Sequence, residues 1–183
     1  MERKGVVTFK GKGLTLSGGE IKTGSRAPGF TSLDRDNNEK GLKDFEGRVI
    51  IISVTPSLDT PVCDMQARRF NEEAARLPAD VAVINMSMDL PFAISRFCAS
   101  AGIERVITLS DHRDASFGTA YGVLIKELRL LARAVFVIDA AGIVRYAEIV
   151  PELTNPPDYV KALGEARNRA GVKNPPIINP ASR

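Results

Sequence analysis

The sequence predicts an α/β protein built around a mixed sheet, and three observations carry that reading. Val49-Ile50-Ile51-Ile52-Ser53-Val54 is apolar, rich in β-branched residues, too short for a helix and without alternation. That is the pattern of a central strand covered on both faces. A second such run, Val81-Ala82-Val83-Ile84-Asn85-Met86, follows after a helical segment, which gives the strand–helix–strand unit of a parallel sheet. Further on, Arg133 to Ile138 and Ile143 to Val150 flank the turn Asp139-Ala140-Ala141-Gly142, so an antiparallel pair joins the sheet.

The elements follow in order. Val6-Val7-Thr8-Phe9 and Leu14-Thr15-Leu16 flank Lys10-Gly11-Lys12-Gly13, an N-terminal β-hairpin covering one end of the core. Gly24 to Phe30 is a loop, and the charged, turn-rich stretch from Leu33 to Phe45 is expected at the surface. After the Val49–Val54 strand comes a helix with Phe70, Ala74 and Leu77 on one face, and Asp64, Arg68, Glu72 and Arg76 largely off it. Asp89-Leu90-Pro91 opens a second helix, from about Phe92 to Ala101. On it Phe92, Ala93, Phe97 and Ala101 share a face, with Ile94 and the half-covered Cys98 beside them, and Gly102 closes it. Arg105 to Leu109 is a third strand, and the polar loop Ser110 to Asp114 caps a helix from Ala115 to Tyr121. Gly122 to Leu131 is a loop whose apolar residues could be core, interface or pocket wall. Pro156-Pro157-Asp158 begins the last helix, which turns Tyr159, Leu163 and Ala166 inward.

Composition narrows the function. The chain has 183 residues, 44% apolar and 26% charged, enough for one domain, expected over 1–170, with a flexible, proline-bearing tail over 171–183. The net charge of +3 is small and diffuse, which gives no argument for nucleic acid. No apolar run approaches the length of a membrane span and no signal peptide is visible, so the expected location is cytoplasmic, away from membranes. Two cysteines and one histidine do not make a zinc site, and nothing calls for a cofactor. In a reducing compartment two cysteines are more often free or redox-active than a permanent cross-link. His112, in a polar loop, reads as solvated rather than as a general base.

Cys63 stands where a buried strand hands over to a helix. Thr60 suits the N-cap and Pro61 the first helical position, and Pro61 drives Thr60 into the extended conformation an N-cap needs. Cys63 then falls in the first turn, where backbone N–H groups lack intrahelical partners and the macrodipole is positive. Both favour a thiolate. Position alone leaves open whether Cys63 is an activated thiol or a small buried hydrophobe.

Pro56-x-x-x-Thr60-x-x-Cys63 resembles the active-site signature of the peroxiredoxins, thiol enzymes that reduce hydroperoxides. Six longer segments resemble their thiol peroxidase subfamily, of the atypical two-cysteine type. They are Phe30-Thr31-Ser32-Leu33, Thr55-Pro56-Ser57-Leu58-Asp59-Thr60, Asp89-Leu90-Pro91-Phe92-Ala93, Ser95-Arg96-Phe97-Cys98, Val106-Ile107-Thr108-Leu109-Ser110 and Leu131-Ala132-Arg133-Ala134-Val135. The similarity runs from about Val6 to Ala170. It implies a thioredoxin fold with an N-terminal hairpin. It implies that Cys63 attacks the peroxide, that Thr60 bonds the sulfur or the peroxide, that Pro56 shapes and shields the loop, and that Arg133 stabilises thiolate and leaving oxygen. Cys98 would be the resolving thiol, closing an intrachain disulfide with Cys63 that thioredoxin reduces. A homodimer and a taste for bulky alkyl or lipid hydroperoxides alongside hydrogen peroxide are implied too. Because the two cysteines fall on separate helices with a strand between, that disulfide is expected to need local unfolding. A disulfide reductase would need Cys-x-x-Cys, and Thr60 occupies the first slot. A silent redox-sensing module, in which the cysteine pair switches a partner surface, is the other alternative.

Overall fold

A computed structural model describes residues 1–171; the tail expected beyond Gly171 lies outside the described residues. The chain runs β1 (Glu2–Phe9), β2 (Lys12–Ser17), β3 (Thr31–Leu33), β4 (Glu39–Gly41), a 3-10 turn (Leu42–Phe45), β5 (Val49–Val54), α1 (Pro61–Ala74), β6 (Val81–Ser87), α2 (Pro91–Ala101), β7 (Ile107–Ser110), α3 (Ser116–Ala120), β8 (Leu124–Ile125), β9 (Leu130–Leu131), β10 (Ala134–Ile138), β11 (Val144–Ile149) and α4 (Tyr159–Arg169). A seven-stranded sheet has the order β11-β10-β5-β6-β7-β3-β4, and a four-stranded sheet the order β1-β2-β8-β9. β5, β6 and β7 are parallel, while β10 runs antiparallel to β5 and β11 to β10. This is the mixed sheet the sequence predicts.

The unbroken apolar strands are explained by two cores on opposite faces of one sheet. Ile50, Ile52, Val54, Ile84, Met86 and Phe136 pack with Leu16, Phe117 and Tyr121 on one side. Val49, Ile51, Val83, Val135 and Val137 pack with Phe70, Ile94, Cys98 and Leu163 on the other. Alternate residues of each strand thus go to different cores, so both sets are apolar until the C-terminal ends of the strands. The second face is covered by α1, α2 and α4. Full burial of a side chain such as Phe70 contributes about 1.5–3 kcal/mol, so packing rather than helix propensity holds α1 down. On the first face Phe117 stacks on Tyr121 at 4.3 Å between centroids, and Phe30 and Phe136 meet them edge-on.

Three local expectations are corrected. The segment 33–45 is not merely surface: β3 pairs with β4 and β7, Leu33 and Phe45 are buried, and the Asp34 carboxylate accepts the Asp36 and Asn38 amides to make the turn between the strands. The segment 122–131 is not a loop: β8 pairs with β2 and β9, and Val123, Leu124, Ile125 and Leu131 are core. On α2 the buried stripe is Pro91, Ile94 and Cys98, whereas Phe92 is 74% exposed. Cys98 is therefore 2% exposed, not half covered. The helix is turned so that the branched Ile94 meets the sheet. Gly102 ends α2 in the left-handed conformation, as glycine at that position should. Among the described residues no helix is long and apolar enough to cross a membrane.

Candidate active site

β5 delivers the chain to the site and α1 carries it away. Val54 is the last strand residue, Thr55 and Pro56 are buried, and the chain turns through residues 57–60 before Pro61 opens α1. Thr60 is at the N-cap with extended backbone (φ −100°, ψ 145°), and Pro61 follows it, as expected. Its side chain does something else, however. The Thr60 hydroxyl donates to the Ser57 carbonyl at 3.3 Å and makes no cap to the first turn. The Thr60 amide donates to the same carbonyl at 3.2 Å, which fixes the turn.

Cys63 sits in the first turn of α1, fully buried, and Arg133 comes to it from the segment joining β9 to β10. Arg133 Nη2 lies 3.3 Å from the Cys63 sulfur, and the arginine is itself 2% exposed. Its other bonds are Nη1 to Gln66 Oε1 at 2.6 Å, and Nε and Nη2 to the Leu153 carbonyl at 3.1 and 2.9 Å. Gln66 passes the connection on: its Nε2 donates to Ser53 Oγ at 2.8 Å and to the Val54 carbonyl at 3.3 Å. A buried guanidinium stays charged and needs a counter-charge. Among the described residues none of its hydrogen-bond partners is a carboxylate. Cys63 is the partner that can become an anion.

Sequence reasoning found Cys63 and Arg133 but not Gln66 or Leu153. Gln66 carries a usable signal, an amide beside Cys63, Ala67 and Phe70 on the buried stripe of α1, which Glu73 continues. Leu153 acts through its backbone carbonyl, which no side-chain pattern reports. Tyr159, at the start of α4, packs edge-on against Phe70 at 5.5 Å. Burial pushes its hydroxyl above the ordinary tyrosine range, while the nearby Arg133 charge pulls the other way.

Cys98 lies on α2, its sulfur 3.7 Å from Thr108 Oγ1. Both cysteines are free. They share one sheet face, whose interior turns polar at the C-terminal ends of the parallel strands. Ser53 pairs with Asn85 and Asn85 with Thr108, and all three side chains are buried. Asn85 Nδ2 reaches Thr55 Oγ1 at 3.4 Å, and Asn85 Oδ1 has no hydrogen-bond partner among the described residues. His112 is bonded to Ser110 Oγ at 2.8 Å and to neither cysteine.

Comparison with known proteins agrees with this geometry. The Redoxin family matches residues 22–163. Thiol peroxidase of Bacillus subtilis (strain 168) is 59% identical over 161 residues, covering 88% of this chain and 96% of the relative. Thiol peroxidase of Halalkalibacterium halodurans is 58% identical over 161 residues, with 88% and 96% covered. The crystal structure of a peroxiredoxin-like protein from Aquifex aeolicus superimposes with a TM-score of 0.84 at 42% identity, over 91% of this chain and 96% of that one. The fold, the buried cysteine beside a buried arginine, and these matches lead to one conclusion: the chain belongs to the Redoxin family and, within it, to the thiol peroxidases, which reduce peroxides at the expense of thiols.

Proposed function

We propose that Cys63 is the attacking thiol of a peroxidase acting on hydrogen peroxide and on alkyl or lipid hydroperoxides. The observation that carries this is the 3.3 Å approach of the buried Arg133 guanidinium to the Cys63 sulfur, with no carboxylate among its hydrogen-bond partners in the described residues. Ionised, Cys63 supplies that counter-charge, and the first-turn position of α1 favours the same state. The thiolate attacks the terminal oxygen of ROOH, the O–O bond breaks, Cys63 becomes a sulfenic acid, and RO⁻ leaves to be protonated. Arg133 keeps fixed donors where charge moves from sulfur to the leaving oxygen. Pro56 closes the loop around the thiolate. In this reading the Thr60 hydroxyl, which in the resting protein donates to the Ser57 carbonyl, turns to the bound peroxide.

The sulfenic acid then condenses with the Cys98 thiol, forming the S–S bond and releasing water. A dithiol protein, which we take to be thioredoxin in the cytoplasm, reduces the disulfide and is itself oxidised. Both cysteines are buried on separate helices with β6 between them in sequence, so the condensation requires the first turn of α1, or α2, or both to loosen. The working unit in this reading is a homodimer.

The test is peroxide consumption coupled to thioredoxin, thioredoxin reductase and NADPH, with peptide mapping after one equivalent of peroxide. A Cys63–Cys98 peptide in a monomer-sized band supports the scheme. A dimer-sized band that collapses on reduction would place the bond between chains. A Cys98→Ser protein cycling at the wild-type rate would remove Cys98 from it.

A further inference from the structure

We propose that Asp89 is a positioning residue that latches the Cys63 loop to the start of the Cys98 helix, so that the two loosen together. The proposal rests on the reading that Cys63 and Cys98 form the disulfide, and it names what couples their release.

Asp89 sits one residue before the N-cap of α2, and that N-cap is Leu90, whose apolar side chain cannot accept the first-turn N–H groups; Asp89 is the nearest carboxylate on the chain before the helix. α2 has no side-chain cap, no acidic residue in its first turn and no basic residue in its last. The Asp89 carboxylate instead crosses to the loop before α1, accepting Ser57 Oγ at 2.7 Å and the Leu58 amide at 2.8 Å. Ser57 is the hub of that loop. Its hydroxyl oxygen accepts the Asp59 amide at 3.3 Å, and its carbonyl accepts both the amide and the hydroxyl of Thr60. Thr60 in turn is the N-cap whose carbonyl accepts the Asp64 amide at 2.9 Å, the bond that closes the first turn around Cys63.

On its other side Asp89 is tied to the sheet. Its amide donates to Ser87 Oγ at 3.2 Å, and its carbonyl accepts the Ser110 hydroxyl at 2.5 Å. One residue thus joins the end of β6, the end of β7, the root of α2 and the turn that seats Cys63. Hydrogen bonds to a charged acceptor are worth more than neutral ones. They hold the turn before α1, while α2, with Leu90 at its N-cap, has no side-chain cap and a short length, and so stays easy to open. Breaking the two carboxylate bonds frees the Ser57 turn and the α2 root in a single event.

The test compares wild type, Asp89→Asn and, as a milder variant that removes one of the two bonds, Ser57→Ala. In the reduced protein without peroxide, amide hydrogen exchange across residues 57–66 and 90–98 is expected to speed up together in Asp89→Asn, by about tenfold. Ser57→Ala should move both segments the same way by less. In stopped-flow single turnover, Asp89→Asn should slow the peroxide step, because Cys63 is seated less firmly, and accelerate the step forming the disulfide and water. Fewer sulfenic acids should then go on to sulfinic acid at excess peroxide. Exchange that rises in one segment alone, or a disulfide step that slows along with the peroxide step, overturns the latch. Coupled exchange in a protein whose wild type forms no Cys63–Cys98 bond would sink the disulfide reading and leave the latch standing.

Discussion

Arg133 and Cys63 are 70 positions apart in the chain, yet the guanidinium Nη2 is 3.3 Å from the sulfur in an interior closed to water. Neither residue makes the site alone. The arginine depends on a backbone carbonyl from beyond β11 and an amide from α1 to be held in its plane, and the cysteine depends on a proline-led turn to reach it.

Replacing Cys63 with serine should abolish peroxide consumption and leave the far-ultraviolet spectrum and thermal unfolding close to wild type, since the side chains are nearly the same size. Measurable turnover by Cys63→Ser would show that another group attacks the peroxide.

Arg133→Ala should slow peroxide attack by about 10²–10³-fold, the usual loss for one preorganised donor at a developing charge. Arg133→Lys should recover part of this, because it restores charge without the planar fork that meets Leu153, Gln66 and Cys63 at once. Rapid-mixing rates of thiolate oxidation decide it, and an alanine variant with unchanged kinetics would put the arginine outside the reaction.

Gln66→Leu should cost stability as well as rate. It leaves Ser53 Oγ and one arm of Arg133 buried without their partner, a penalty of about 1–3 kcal/mol for each such group. Denaturant unfolding should therefore show a lower midpoint at an unchanged slope.

Much of this was legible in the sequence, and the reasons for the rest are physical. Val49–Val54 and Val81–Met86 announce themselves because both faces of a central strand must be apolar, and Thr60-Pro61 announces α1 because capping is local. β3 and β4 were hidden because three-residue strands have no room for a pattern, and the charges of 34–40 dominate that stretch. The face of α2 was misjudged because four apolar residues outvoted Ile94 and Cys98. Exposed Phe92 shows that counting apolar residues does not fix a helix's rotation. Arg133 was legible only through the resemblance of its neighbours.

Acid should loosen the turn of the N-terminal hairpin where it meets Glu152. Glu152 is held down to about 2 from its ordinary 4.5, chiefly by the Gly11 amide and the Thr8 hydroxyl. A carboxylate with a depressed value in the fold stabilises it above the unfolded value and loses that contribution as pH falls toward the folded one. Protection of the Lys10 and Gly11 amides, which Glu152 accepts at 3.0 and 3.1 Å, measured against their intrinsic exchange at each pH, should thus fall between about pH 4.5 and 2, and Glu152→Gln should show the lower protection already at neutral pH. Amides as well protected in Glu152→Gln as in wild type would show that the hairpin turn is held by the backbone bonds of Thr8 and of β2 to β8, without the carboxylate.

The same hairpin reaches further than its place at the edge suggests. Thr8 bridges backbone to backbone with the segment beside Glu152: its amide meets the Pro151 carbonyl at 2.7 Å, and its carbonyl takes the Leu153 amide at 2.9 Å. Leu153 then offers its own carbonyl to Arg133. The first ten residues are therefore one hydrogen-bonded residue away from the guanidinium beside Cys63. A grafted hairpin that lacked the Thr8 backbone bonds would leave the Leu153 carbonyl, and with it one hold on Arg133, without that anchor.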